Sequence, residues 1–185
     1  MKHKMLMVGL MAAAFGTIML FSNGQRVSAA GKKKLLRVGV YDSRAIAIAY
    51  GNSDHWSKIL KEKQAALEQA KKEGDTEKVK EIEAWGPAQQ AQAHLKAFGT
   101  APVHECFDCV KDKIPQVAKA AGVDVIVSKW EFDYLADDAD VVVVTMELAK
   151  LFNPSERGWK SIKSLKKWKP YSHEELQRLE KKHPH

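Results

Sequence analysis

Three short runs along the chain are rich in β-branched residues: positions 36–41 (Leu36-Arg37-Val38-Gly39-Val40-Tyr41), 123–127 (Val123-Asp124-Val125-Ile126-Val127) and the four valines at 141–144. Each predicts a strand. Between the first and second lies a polar stretch, about residues 54–98, whose apolar positions recur at helical spacing among lysines and glutamates. Short strands build a core only by meeting one another, so the helical stretch must leave that core and come back. The pattern predicts an α+β fold, a small β-sheet association domain with a projecting antiparallel helical hairpin.

Punctuation along the chain supplies the boundaries. Asp42 caps a short apolar helical stretch at 45–50, and Gly51-Asn52-Ser53 turns the chain. Ser53 or Asp54 caps the outgoing arm, about residues 55–72, which carries Trp56, Ile59, Leu60, Leu67 and Ala70. Gly74-Asp75 reverses direction, and the returning arm carries Val79, Ile82 and Trp85 before meeting Gly86-Pro87. An interior proline costs about 3 kcal/mol in a regular helix, which predicts a kink or restart before Ala88, Ala91 and Leu95. Each arm spans about 30 Å at ~1.5 Å per residue.

After Gly99-Thr100-Ala101-Pro102, the stripe Val103, Cys106, Phe107, Val110, Ile114, Val117 and Ala121 predicts one helix, bent at Pro115 and ended by Gly122. Thr145 starts another helix that Asn153-Pro154 stops.

The N-terminus changes the compartment. Lys2 and Lys4 precede an apolar run at 5–21, and Val27-Ser28-Ala29-Ala30 offers small-residue cleavage sites, so residues 1–30 are expected to be a signal peptide, with an uncleaved anchor as the rival. The mature protein is then periplasmic or secreted. Cleavage removes Lys2, Lys4, Arg26 and no acid, lowering the formal charge from +7 to +4. Within residues 54–95, seven lysines meet eight acids, so the arms are nearly neutral. Export also removes nucleic acid as the usual partner of a basic chain.

Candidate chemistry is sparse. Cys106-Phe107-Asp108-Cys109 is the one local motif with possible chemistry: structural thiols, a disulfide or redox pair, or a metal site recruiting His104 are the alternatives. No cofactor or metal is expected. Asp133, Asp137, Asp138 and Asp140 lack the glycine turn and terminal glutamate of a calcium loop and read as solvated. No nucleophile triad or phosphate-cradling loop is present, which points away from an enzyme. In the tail, residues 155–185, Trp159, Ile162, Leu165 and Trp168 recur every third position among Lys160, Lys163, Lys166, Lys167 and Lys169. Such a helix either presents aromatics and ammonium groups to an anionic membrane surface or acidic partner, or docks its apolar side on its own core. Ser172 and Glu175 form a capping box for a last helix at about 173–182.

Residues 31–154 resemble the Skp/OmpH-like family of periplasmic chaperones. The resemblance rests on Val38-Gly39-Val40-Tyr41-Asp42, on the helix-to-strand return from Ile114-Pro115 through Ala121-Gly122-Val123 to Ser128-Lys129, and on the stretch from Tyr134 to Leu151 with Thr145 at a helix start. The arms here are shorter than that family's, are interrupted by Gly86-Pro87 and lack its basic charge. The resemblance implies a β-rich domain that trimerises, with arms that enclose unfolded outer-membrane polypeptides. The expectation is therefore a non-enzymatic, homo-oligomeric polypeptide-binding protein, chaperone-like or scaffolding. Its client-binding residues would be Trp56, Ile59, Leu60, Leu67, Val79, Ile82 and Trp85. An envelope-surface module acting through the tail (Trp159, Lys160, Lys163, Lys166, Lys167, Trp168) and a thiol oxidoreductase using Cys106 and Cys109 are the alternatives.

Overall fold

A computed structural model describes residues 36–182. The expected signal peptide, residues 1–30, lies outside the described residues. The three predicted strands form one sheet: β1 (Val38–Tyr41) lies between β2 (Val125–Ser128) and β3 (Val141–Val143). Both pairings are parallel, with Val38 opposite Val125 and Val141, and Val40 opposite Val127 and Val143. Parallel strands need crossovers, and the helical stretch that follows β1 is the first of them.

Side chains alternate across this sheet. Tyr41 belongs to the buried core, and Ile126 and Val142, on the same face, pack against it. Gly39 shares that face because a Cβ there would lie 3.1 Å from both Ile126 Cγ1 and Val123 Cγ2, so those side chains close over the central strand only above a glycine. The opposite face consists of valines, of which Val125 is 40 % and Val143 70 % exposed.

Helix α1 (Ser43–Gly51) starts at Asp42, whose carboxylate accepts from the Arg44 N–H, and it buries Ala45, Ile46 and Ala49. It packs against α3 (Thr76–Phe98), α5 (Thr145–Lys150) and α6 (Glu156–Ser164), where Leu148, Ala149, Phe152 and Ile162 complete the core. Helix α2 (Asp54–Glu73) is capped by Ser53 and ends on Gly74, whose φ of 71° is the left-handed conformation that glycine adopts without strain. Asp75 then caps α3. The two long helices pack on each other through a Lys71–Glu83 ion pair and stacked Trp56 and Trp85 rings. Helix α3 also packs against α1 and α7 (His173–Lys182), which ties its return to the body of the protein.

Two local expectations change. Of the kink or restart expected at Gly86-Pro87, the restart does not occur: helix α3 runs through Pro87 without interruption. The proline removes the N–H that would bond the Glu83 carbonyl, and Glu83 is exposed, so water can satisfy that carbonyl. The expected single helix at 103–121 is instead two 3₁₀ segments, His104–Cys109 and Lys111–Lys113, followed by α4 (Ile114–Ala121). Pro115 explains this: its ring would clash with the Lys111 carbonyl of a continuing α-helix, so the preceding turns close by i→i+3 bonds such as Val110 N–H to the Phe107 carbonyl. Pro115 then occupies the first turn of α4, where a missing N–H costs nothing.

Candidate functional site

The residues expected to bind clients are divided by the structure. Trp56 and Trp85 stack with ring centroids 5.9 Å apart, and Tyr50 lies 5.5 Å from Trp56. Through Tyr50, Phe152, Phe107 and Tyr41, these rings join a chain of aromatic contacts that starts in the core. Ile82 is buried. Trp56, Trp85 and Ile82 thus hold the molecule together in the first instance. Ile59, Leu67 and Val79 are half-buried, and Leu60 is 45 % exposed. Of the twenty residues of α2, only Ala70 is buried, so the apolar positions of that helix keep accessible surface.

The thiols are free, with Cys106 buried and Cys109 exposed. Burial pushes the Cys106 thiol up to about 12 and raises that of Cys109 as well, the reverse of an activated nucleophile. Both lie on a 3₁₀ segment, and the Cys109 thiol donates to the Cys106 carbonyl at 3.5 Å. This geometry opposes the oxidoreductase alternative.

The two alternatives for the tail are divided by position. Trp159 and Leu165 pack against the core and Ile162 lies in it, so up to that point the apolar side docks on the protein's own core. Lys160, Lys163, Lys166 and Lys167 are exposed, and Trp168 is 65 % exposed.

A charged cluster that no linear pattern announces lies where the strands end. Because the strands are parallel, their carboxyl ends finish together, and Asp42, Lys129 and Thr145 converge just beyond them. Both oxygens of Asp42 are fully engaged. Its Oδ1 accepts from Arg44 N–H at 3.1 Å and Arg44 Nε at 3.0 Å, and its Oδ2 accepts from Arg44 Nη2 at 2.7 Å and Lys129 Nζ at 2.8 Å. Burial alone would raise this carboxyl, but the hydrogen bonds and charges of Arg44 and Lys129 outweigh it and hold Asp42 below the usual carboxylate range.

Arg44, only 3 % exposed, also donates from Nη1 to the Trp168 carbonyl at 2.9 Å, fastening the tail to the core. Both cations lie over the Trp130 ring, Lys129 Nζ at 4.3 Å and the Arg44 guanidinium carbon at 5.4 Å from its centroid. Thr145 Oγ1 accepts from the Asp42 N–H at 3.1 Å. These groups line a cavity of about 370 Å³. The signal that could have revealed it was the recurrence of a polar residue just after each predicted strand, informative only once the strands are known to be parallel.

No family model, curated protein or solved structure matches this chain. Among the described residues no helix is long and apolar enough to cross a membrane, and no group of three His, Cys, Asp or Glu side chains could hold a metal ion.

Proposed function

We propose that this chain is an exported, non-enzymatic polypeptide-binding protein of the cell envelope that works as a chaperone or scaffold through the outer surface of α2 and α3. The observation that carries this reading is the imbalance within α2: twenty residues with only Ala70 buried, and with apolar Ile59, Leu60 and Leu67 left at least partly accessible. A helix serving only its own core buries its apolar stripe. The flanking charges nearly cancel, which suits an apolar stretch of unfolded chain better than a strongly acidic partner. The order of strands and helices adds the resemblance to the Skp/OmpH-like family, from which a homo-oligomer, a trimer, is inferred. The exposed Val125 and Val143 offer apolar area for association between copies.

Light scattering on the purified protein tests assembly, and a monomer would remove the oligomeric part of the proposal. Suppression of aggregation of a urea-denatured outer-membrane polypeptide tests binding. The double substitution Ile59→Ser and Leu60→Ser should cut suppression at least about twofold, since each buried apolar side chain contributes about 1.5–3 kcal/mol to an interface that uses it. Equal activity of variant and parent would move the binding surface away from α2, and no suppression by the parent would end the chaperone reading.

A further inference from the structure

The cavity at the carboxyl ends of the strands has more cationic donors than its one acid can use. Asp42 already accepts four hydrogen bonds, all from Arg44 and Lys129. Three of the five guanidinium N–H groups of Arg44 are engaged, by Asp42 and the Trp168 carbonyl, leaving two, and the Lys129 ammonium keeps two protons after its bond to Asp42. Thr145 Oγ1 accepts a bond but directs its proton to no acceptor among the described residues. Lys166 and Lys169 line the same cavity without an acidic partner among the described residues. Four cations thus face one carboxylate that is already fully engaged.

The rest of the lining is apolar. Met146, Ile162 and Leu165 form part of the wall, together with Trp130 and the exposed Trp168. A volume of about 370 Å³ falls within the size of small-molecule sites, which pair a mostly apolar wall with a few convergent polar groups. A bare inorganic anion would satisfy the donors but leave that wall in water. A neutral hydrocarbon would fill the wall but leave the cations unmatched.

The geometry points to a binding site for a single carboxylate carried on an apolar, aromatic-sized body, with Lys129 and Arg44 at the carboxylate and the two indoles beside the body. It is separate from the α2 surface and does not depend on the chaperone reading. The carboxylate could belong to a free organic acid or to the C-terminus of a polypeptide, and the site recognises what the two share.

Isothermal titration of the purified protein with 3-phenylpropionate, its neutral amide and inorganic phosphate tests the site. The acid should bind saturably at one site per chain, with the amide and phosphate each at least about tenfold weaker, the usual loss when a charge-assisted hydrogen bond or the apolar contact is removed. Lys129→Gln should weaken the acid severalfold while leaving the Arg44 bonds of Asp42 in place. Trp168→Ala keeps the carbonyl that Arg44 uses and should also weaken it, and a thermal transition confirms that each variant is folded. A short peptide ending in a free phenylalanine carboxylate separates the sources: tighter binding than 3-phenylpropionate assigns the site to chain ends, weaker binding to small acids. Equal affinity for acid and amide, tighter binding of phosphate, no binding of the acid, or unchanged affinity in both folded variants would overturn the assignment.

Discussion

Helices α1 and α2 are neighbours in the chain and opposites in use. The nine residues of α1 include five that are buried, Ser43, Arg44, Ala45, Ile46 and Ala49, whereas the twenty residues of α2 include one. Helix α2 owes its form to local means: the Ser53 cap, the left-handed Gly74 stop, and i,i+4 contacts such as Gln64–Glu68 at 3.1 Å and Gln69–Glu73. Helix α1 owes its form to the core around it. Helix length and structural weight are therefore separate quantities here, and a long helix with little weight is free to carry a surface for something else.

The sharpest way to break that contrast is at the start of α1. Asp42→Asn removes the acid from between two cations and leaves Arg44 charged and buried, which should cost about 3–5 kcal/mol in denaturant unfolding. The same carboxyl makes stability depend on pH. Its folded pKa lies below the unfolded value of about 3.9, so its contribution is complete above that pH and is lost as pH falls through the folded value. The parent should therefore lose stability in that acid range, and Asp42→Asn should lose less. Next in size, Ile46→Ala, at a fully buried position, should cost about 3 kcal/mol, while Ile59→Ala in α2 should cost under about 1 kcal/mol. Midpoints compared at constant m-value give both numbers. Similar losses at the two positions would mean that α2 is as integral to the fold as α1.

What could be read directly from the chain was what neighbouring residues decide. The three strands, the Asp42 and Ser53 caps, the Gly74 and Gly122 stops and the Ser172–Glu175 box are local, and all occur as expected. Features that depend on which distant segments meet were harder. Trp159 and Trp168 have the same chemistry and lie on the same three-residue spacing, yet Trp159 packs against the core and the Trp168 ring is 65 % exposed, because α6 ends at Ser164 and gives way to a 3₁₀ turn over Leu165–Lys167. The cluster of Asp42, Arg44, Lys129 and Thr145 was illegible for a plainer reason. Asp42 and Arg44 are two positions apart, but Thr145 lies 103 positions from Asp42, and only parallel pairing brings it and Lys129 to the same place. Asp42 is the cap its position predicts, and nothing local shows that a distant lysine joins Arg44 on its carboxylate.

The smallest predicted effect bears on how α3 serves both regions. Helix α3 packs against α2 and also against α1, and Pro87 lies between its Trp85 contact with α2 and its final residues Ala97 and Phe98, which share a cavity with Arg44 and Ile48 of α1. Pro87→Ala would return an N–H to the Glu83 carbonyl. A straight helix would recover up to about 3 kcal/mol, less about 0.4–1 kcal/mol for the added freedom of the unfolded chain. A net gain of about 1–2 kcal/mol is expected if the proline is merely tolerated. If stability instead stays level or falls, the bend that proline favours is what lets one helix follow α2 at its start and α1 at its end. Because nothing lies within 4 Å of a Cβ built on Gly86, Gly86→Ala serves as the control: it fills no contact, adds helix propensity, and should stabilise by up to about 1 kcal/mol whichever role Pro87 has.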